Sequence, residues 1–438
     1  MLLDSVLNMC HSRSDKTFFV GYSGGLDSHV LLHLMAQART LRGIDVRAVH
    51  INHQLSSRAH EWEQHCKKTC ENLQIPYQSF TIQLDLSAND SLEAIAREKR
   101  YSILSALLKK DDVLLTAHHQ DDQAETLLLQ LVRGAGPKGL AAMPTLKSLG
   151  QGFQARPLLL YSRAELKKYA IDNGLHWIED ESNERLNFSR NFIRHEILPL
   201  LKKRWPSVTG TLARVSTHCA EAQHLLEGVA KQDLLQSQGR VAGTLSIQKV
   251  LSLDSARQRQ LIRQWIKDQG FLLPSAVKLN QIQTDVLLSA SDKVPVVSWK
   301  NCEVRRYLDD LYILPPLVSH NEYQAIKWDR LETPLEIPNV GMLKAVDTSN
   351  QCFRKDIPNV SVQFRIGGEQ CQLPGRQCHH RLKNLMQEWK VPTWRRDRLP
   401  LIYVNKELVA VVGYYINSEF VKKENCLFIL TSLKKKGG

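Results

Sequence analysis

The sequence predicts an α/β protein that has a parallel-sheet N-terminal domain, a helical middle domain and a small α+β C-terminal domain. Strand-like and helix-like segments alternate over residues 17–133, the pattern of a parallel sheet with helices on both faces. Near 199–206 the pattern becomes mostly helical, and toward the C-terminus short strands alternate with one helix around 382–389. We therefore expect three domains, at residues 1–205, 206–325 and 326–438.

The predicted strands of the N-terminal domain are short and apolar, and each precedes a helix-like segment. The clearest helix has apolar side chains at a spacing of three to four residues. Ligands of such sheets bind at the carboxyl ends of the strands. The predicted strands are 17–22, 46–52, 79–84 and 112–118, and the predicted helices are 28–38, 57–73, 91–108 and 121–133.

The composition is that of a globular protein with a basic surface. Of 438 residues, 43% are hydrophobic and 24% are charged, which excludes a fibre, a disordered tail and a disulfide miniprotein. The 58 Lys and Arg residues exceed the 45 Asp and Glu residues, a formal charge of +13. This excess favours a polyanionic partner, nucleic acid first, although a merely basic surface remains the alternative.

The cysteines and the N-terminus indicate a reduced, cytoplasmic environment. The nine cysteines include no C-x-x-C pair and no set of four at zinc spacing. No apolar stretch approaches the length of a membrane helix, and the first ten residues do not resemble a signal peptide. We therefore expect a cytoplasmic protein without a membrane partner. The sequence leaves monomer and homodimer open.

A small-residue loop between the first strand and the first helix predicts a phosphate site. Its glycines let backbone amides approach a ligand closely, and the helix that follows offers free N–H groups. Asp27 would repel phosphate unless a magnesium ion or an amine lies between them. The alternative is a plain turn in which Asp27 complements the helix dipole. The loop consists of Ser23, Gly24, Gly25, Leu26, Asp27 and Ser28.

Two acids follow the fourth predicted strand. Asp122 and Glu125 are three residues apart, hence on one helical face, and suit magnesium or the ammonium group of an amine substrate. Complementation of the helix dipole is the alternative. The adjacent His118 and His119 form a poor metal pair, and a role in orientation or packing is favoured for them.

Several cations are candidates for phosphate or RNA contacts, with a solvated basic face as the alternative. Arg100 lies at the edge of the apolar stripe of helix 91–108, where it either points at the site or extends to solvent. Near the C-terminus, basic residues are interleaved with Trp389 and Trp394, as suits an RNA backbone and an unstacked base. The alternative is a small core flanked by solvated charge, with Trp394 as a core residue. The other candidates are Arg156, Arg190, Arg194, Lys383, Arg395 and Arg396.

A series of motifs covers most of residues 17–200: SGGLDS, HINHQLSS, AREKRY, TAHHQDDQAETLLLQLVRGAGPKGLAAM, RPLL, IEDESN and SRNFIRHEILP. The first resembles the PP-loop of the N-type ATP pyrophosphatases. The whole set, in this order, is similar to the motifs of the tRNA(Ile)-lysidine synthases. The resemblance implies a cytidine in a CAU anticodon that is adenylated with ATP and Mg²⁺ and then joined to L-lysine, which changes the codon read from AUG to AUA.

The resemblance also implies roles for the candidate residues. The hexapeptide 23–28 would hold ATP, and Asp27 and Asp122 would hold magnesium. A tRNA 2-thiolation enzyme and a non-catalytic RNA-binding protein are the rival interpretations. Neither fits well, because Cys66 and Cys70 have the wrong spacing and the loop and acids are intact. The implied catalytic residues are Asp27, Asp122, Glu125, Arg100 and Arg190, and the implied tRNA contacts are Arg194, Lys383, Arg395 and Arg396.

Overall fold

The chain divides into two compact units, Met1–Gly228 and Val229–Gly438. Within the described part of the chain, no helix is both long and apolar enough to cross a membrane. Parts of the motif stretches 50–57 and 178–183 lie outside the described residues. The computed structural model describes residues 1–11, 16–52, 58–82, 92–179, 189–290, 293–331, 333–347, 359–372, 379–417 and 426–431.

The first unit is built on a six-stranded sheet with the order β3-β2-β1-β4-β6-β5. The five strands from β3 to β6 run parallel, and β5 pairs antiparallel to β6 at the edge. The α/β prediction is therefore confirmed. The strands are β1 Thr17–Gly21, β2 Asp45–Asn52, β3 Tyr77–Thr81, β4 Val113–Leu115, β5 Leu146–Leu149 and β6 Gly152–Ala155.

Helices cover both faces of this sheet. Phe18 and Val20 of β1 point into one core with α2 and α7, while Phe19 points into a second core with the end of α4. This alternation along one strand makes the sheet the shared wall of two hydrophobic layers. The helices are α1 Leu2–His11, α2 Leu26–Arg42, α3 Ala59–Asn72, α4 Leu92–Leu107, α5 Gln120–Val132, α6 Pro137–Leu140, α7 Arg163–Asp172, α8 Ser189–Phe192 and α9 Leu198–Arg204, with a π-helical turn at Ile193–Ile197.

A long helix, α10 Val208–Gln236, contributes residues to both units. The second unit continues with helices that pack on an antiparallel sheet of order β7-β10-β9-β8 around the buried side chain of Trp265. The elements are β7 Leu245–Ser246, α11 Ile247–Leu251, α12 Ser255–Asp268, α13 Ala276–Gln281, the π-helical turn Ile282–Leu287, β8 Val296–Trp299, β9 Cys302–Tyr307 and β10 Asp310–Leu314.

The C-terminal part of the second unit is an antiparallel α+β structure. Its largest sheet has the order β11-β14-β17-β18-β19, and α14 packs against it through Leu382, Leu385 and Met386. The elements are β11 Ile326–Lys327, β12 Leu335–Ile337, β13 Gly341–Asp347, β14 Val360–Gln363, β15 Gln370–Gln372, β16 His379–Arg381, α14 Leu382–Glu388, α15 Thr393–Arg396, β17 Leu401–Val404, β18 Glu407–Val411, β19 Tyr415–Ile416 and β20 Cys426–Thr431.

The helical region and the α+β C-terminal part agree with the sequence analysis, but two sheet segments were not predicted. The hairpin of β5 and β6 extends the first sheet beyond β4, and β8 to β10 follow the helices of the second unit. Both consist of short strands with polar or glycine residues, which give a weak alternation signal. The bounds of the three predicted domains stay predictions.

Gly152, at the start of β6, tests how closely the sheet edge is packed. A Cβ built there would lie 2.3 Å from the backbone oxygen of Asp112, whereas one at Gly228 within α10 meets nothing. Gly152→Ala should therefore destabilise the first unit by about 1–3 kcal/mol, because backbone cannot yield as a side chain can. Gly228→Ala should be neutral or stabilising by up to about 1 kcal/mol. Urea unfolding checks both, and equal effects of the two variants would contradict the packing argument.

Candidate active site

The loop between β1 and α2 is held in a conformation that requires glycine. Gly24 has φ +84°, and its carbonyl accepts a hydrogen bond of 3.0 Å from the backbone N–H of Ile178. A Cβ on Gly24 would lie 3.0 Å from the Sγ atom of Cys66. Both the backbone angle and the close approach therefore exclude a side chain at this position.

The serines of the loop are preorganised by hydrogen bonds to each other. The Ser23 N–H donates to the Ser28 hydroxyl oxygen at 3.2 Å, and the two hydroxyl oxygens lie 3.0 Å apart. The Ser28 hydroxyl also donates to the carbonyl of Gly25, the N-cap residue of α2, at 3.0 Å. No side chain caps α2 at Gly25, so the helix presents its first N–H groups to a ligand.

Asp27 lies in this anion-binding loop, and its two carboxylate oxygens differ in their contacts. Its Oδ2 atom lies 3.5 Å from Nε2 of His119, while Oδ1 is buried and has no hydrogen-bond partner among the described residues. A carboxylate oxygen in that state suits a cation, and magnesium prefers such a ligand together with phosphate oxygens and water. In the described ranges, no three His, Cys, Asp or Glu side chains are grouped so as to hold a metal ion.

His119 links Asp27 to α5. It is the N-cap of α5 in a reciprocal capping arrangement with Asp122: its backbone N–H donates to Asp122 Oδ2 at 3.0 Å. Burial lowers the pKa of His119, but the hydrogen bond to Asp27 and the surrounding aspartates outweigh burial and raise it. The orientation role favoured for this histidine therefore agrees with its contacts on both sides.

Asp122 and Glu125 are engaged by two arginines. Arg190 donates to Asp122 Oδ1 at 2.8 Å and to Glu125 Oε2 at 2.7 Å. Arg194 donates to Glu125 Oε1 at 2.6 Å and to Asp122 Oδ1 at 3.1 Å. We call these four side chains the acid–arginine cluster. Glu125 is only 1% exposed, so its charge requires this compensation.

Apolar packing holds the arginines in place. Ile193 and Leu198, on either side of Arg194, pack against Ala124 of α5. Arg190 and Arg194 are four residues apart, which brings both guanidinium groups to the same side of the segment. The cluster thus joins α5 to a segment more than sixty residues later in the chain.

His118 has a neutral hydrogen-bond partner. Its Nδ1 atom lies 3.0 Å from the hydroxyl of Thr116, and burial lowers the pKa of His118 to about 4. It is therefore neutral at physiological pH and suits a packing role.

The remaining predicted residues differ in their surroundings. Arg100 lies half-buried on α4, and Lys383 and Arg395 are exposed. Arg396 instead bonds within the protein, to the carbonyl of Val391 at 3.0 Å and the hydroxyl of Tyr307 at 3.0 Å.

Trp394 packs edge-on against Tyr307 and Tyr312, with the guanidinium of Arg305 over its ring at 5.4 Å. These contacts are those of a small core, one of the two interpretations that the sequence left open. Trp389 instead stacks on the exposed ring of Tyr414.

The cysteines near the loop have the character of core residues. Cys66 and Cys70 are free and fully buried on α3, and burial raises the pKa of each thiol to about 12. A thiol in that state is a poor nucleophile. The thiolation interpretation therefore gains no support from these residues.

The acid–arginine cluster predicts a specific pH dependence of stability. Burial raises the pKa of Asp122, but His119 and Arg190 outweigh it and hold the pKa at about 2, below the ordinary 3.8. A lowered pKa stabilises the fold fully above about pH 4, by about 2 kcal/mol, and that contribution disappears as the pH falls toward 2.

Asp122→Asn should therefore be destabilised most near pH 7, and its deficit relative to wild type should shrink as the pH approaches 2. Urea unfolding at several pH values measures this difference. Asp172→Asn, an exposed acid at the end of α7, is the control and should show a small deficit. A deficit for Asp122→Asn that stays constant with pH would contradict the charge argument.

Family models match three parts of the chain. Residues 2–201 match the model described as the PP-loop domain, residues 245–312 the TilS substrate binding domain, and residues 360–429 the TilS substrate C-terminal domain. The three matches follow one another along most of the chain.

Curated relatives match almost the full length. A tRNA(Ile)-lysidine synthase of Coxiella burnetii is 46% identical over 94% of this chain and 91% of its own length. Enzymes of the same name from Legionella pneumophila strain Paris and Methylococcus capsulatus are each 41% identical, over 92% and 95% of this chain and 93% and 96% of their own lengths. The chain therefore belongs to the tRNA(Ile)-lysidine synthase family.

Proposed function

We propose that this chain carries out the reaction for which its family is named, at the loop of residues 23–28 and the acid–arginine cluster. In that reaction ATP activates the wobble cytidine of the CAU anticodon of tRNA(Ile), and lysine is joined to it with release of pyrophosphate and AMP. The observation that carries the site assignment is the buried Oδ1 atom of Asp27, which lies inside an anion-binding loop and has no hydrogen-bond partner in the described part of the chain.

The loop supplies electrostatic stabilisation for the first step. The cytidine O2 atom attacks the α-phosphorus of ATP, and the bond to the β-phosphate oxygen breaks, so negative charge builds on the leaving pyrophosphate. Backbone N–H groups at the start of α2 can receive that charge. The hydroxyls of Ser23 and Ser28 can add two donors once they release their bonds to each other and to the Gly25 carbonyl. Bound Mg²⁺ would neutralise further phosphate charge, held by Asp27.

Asp27 suits magnesium better than Asp122 does. Both oxygens of Asp122 already accept hydrogen bonds, Oδ1 from the two arginines and Oδ2 from the His119 backbone. A metal at Asp122 would have to displace these donors. We therefore assign the metal to Asp27.

In the second step the lysine ε-amine attacks C2 of the adenylated base, loses a proton, and AMP departs. An ammonium group bound at Asp122 or Glu125 must displace an arginine, because these carboxylates already hold Arg190 and Arg194. A displaced arginine is then free to bind phosphate. We propose that lysine binding at these acids and arginine release toward the phosphates are coupled.

The second unit is proposed to hold the tRNA. Of its candidate contacts, Lys383 and Arg395 are exposed, whereas the guanidinium of Arg396 already has two partners in the protein. Arg396 thus ties α15 to β9, and Arg395 is the better candidate for a phosphate contact.

Pyrophosphate release that requires both lysine and tRNA(Ile) is the assay that tests the function. Asp27→Asn should lower that turnover at least tenfold while tRNA binding stays near wild type, because the variant keeps the loop but loses the charge that holds the cation. Asp45→Asn, an exposed acid at the start of β2, is the control. Turnover above a tenth of the wild-type value in Asp27→Asn would contradict the assignment of the magnesium ion to Asp27. Release that needs neither lysine nor tRNA would refute the function.

Arg395→Ala tests the tRNA-binding role of the second unit. One lost phosphate contact should raise the KM for tRNA, leave kcat near wild type, and flatten the slope of log K against log salt by roughly 0.7–0.9. Lys327→Ala, an exposed cation on β11, is the matched control and should leave the slope unchanged. An unchanged slope for Arg395→Ala would exclude that contact, and a fall in kcat alone would indicate activation instead of binding.

A further inference from the structure

A second group of cations surrounds the ring of Tyr101, near the carboxyl ends of β4 and β6. The guanidinium carbon of Arg97 and the ammonium nitrogen of Lys147 each lie 5.3 Å from the centre of this ring. Arg156, which directly follows β6, is only 3% exposed. Burial lowers the pKa of Arg156. The interaction with Tyr101 offsets part of this effect, and the repulsion by the charge of Arg97 lowers the pKa further.

The hydrogen-bond partners of Arg156 are neutral. Its Nη1 donates to the Pro144 carbonyl at 2.6 Å and its Nη2 to Gln154 Oε1 at 3.1 Å. Its Nε is buried and has no partner among the described residues. The amide nitrogen of Gln154 donates in turn to the hydroxyls of Tyr101 at 3.2 Å and Thr116 at 3.0 Å. A polar network therefore fixes the arginine without compensating its charge.

No carboxylate forms an ion pair with Arg97, Lys147 or Arg156 within the described ranges. A buried guanidinium with only neutral partners and two like charges nearby is costly. The acid–arginine cluster shows the opposite arrangement, in which each buried charge is matched. The unmatched cations indicate a place for an anionic ligand.

We propose that Arg97, Lys147 and Arg156 form a subsite for a phosphodiester group of the RNA strand that carries the reacting nucleotide. The subsite rests on the proposed function, which brings such a strand to this edge of the sheet. Its chemistry is that of a phosphate oxyanion, which ATP could also supply. The loop follows β1, however, and β4 separates β1 from β6, so the two sites are two strand spacings apart, about 10 Å.

Tyr101 completes the subsite as a donor. Its hydroxyl oxygen accepts a hydrogen bond from Gln154, which leaves its own hydrogen available for a phosphate oxygen. Burial raises the pKa of Tyr101, but the Gln154 hydrogen bond and the surrounding cations outweigh burial and lower it. A more acidic phenol is a stronger hydrogen-bond donor.

The double variant Arg97→Gln/Lys147→Gln tests the subsite, because both side chains are exposed and their loss should leave the fold intact. We expect the KM for tRNA to rise about tenfold while the KM for ATP stays within twofold. The slope of log K against log salt should flatten by up to about 1.4. The control is Lys110→Gln. Lys110 is an exposed cation that precedes β4 and therefore lies at the amino-terminal ends of the strands, away from the subsite.

A chemically modified RNA shows which phosphate group contacts the subsite. An anticodon stem-loop RNA with one uncharged methylphosphonate linkage beside the reacting cytidine should bind wild type about tenfold more weakly than the unmodified RNA. The double variant should show little difference between the two RNAs, since the contact is already lost. Arg156→Lys, which keeps the charge but not both hydrogen bonds, should weaken binding of unmodified RNA less than Arg156→Gln does.

Several outcomes would overturn the subsite. An unchanged salt slope and an unchanged KM for tRNA in the double variant would remove the phosphate contact. A raised KM for ATP with an unchanged KM for tRNA would assign the cations to ATP instead. Because RNA binding is measured without turnover, a wild-type protein that binds the stem-loop with the expected slope but makes no pyrophosphate would refute the proposed function and leave the subsite standing.

Discussion

Two carboxylates buried on α5 determine where the last segment of the first unit packs. Asp122 and Glu125 follow the sheet at the end of β4, and their charges cannot remain in an apolar interior without compensation. The compensating arginines come from Arg190 and Arg194, so the segment after residue 189 must fold back onto α5. Ile193 and Leu198 then add apolar contact at the same place. Charge compensation and packing thus select one position for the segment.

Periodicity was sufficient for the elements that have strong hydrophobic patterns. Strands β1 and β2 and helix α2 appear at the predicted places because each buries a regular apolar set. Helix α5 also appears where it was predicted, although most of its buried residues are polar or charged. The hairpin of β5 and β6 was missed for a physical reason: β6 has the sequence Gly-Phe-Gln-Ala, and its glutamine is buried for a polar network. A local hydrophobic pattern cannot reveal a residue whose burial depends on a hydroxyl nearly forty positions away.

The candidate site also has one part that the sequence could predict and one part that it could not. The phosphate loop is contiguous, so its glycines, hydroxyls and acid could be identified together from six residues. The partners of Asp122 and Glu125 could not be identified from the sequence, because no spacing rule connects α5 to Arg190 and Arg194. The sequence also could not distinguish the role of Arg395 from that of its neighbour Arg396. Only the structure shows that the guanidinium of Arg396 donates to the hydroxyl of Tyr307. What the sequence could not supply was the set of partners at long range.

The order of the strands explains why matched and unmatched charges lie side by side. From β1 across β4 to β6, the carboxyl edge carries first the phosphate loop, then the acid–arginine cluster, and then the cations around Tyr101. Free cations nearest the loop would compete with its N–H groups for phosphate, and free acids there would repel the phosphates. Pairing Asp122 and Glu125 with arginines removes both difficulties in the middle of the edge. Among the described residues, the positive charge without an ion pair is left beside β6. In the proposed subsite, the RNA strand meets this charge without displacing the nucleotide.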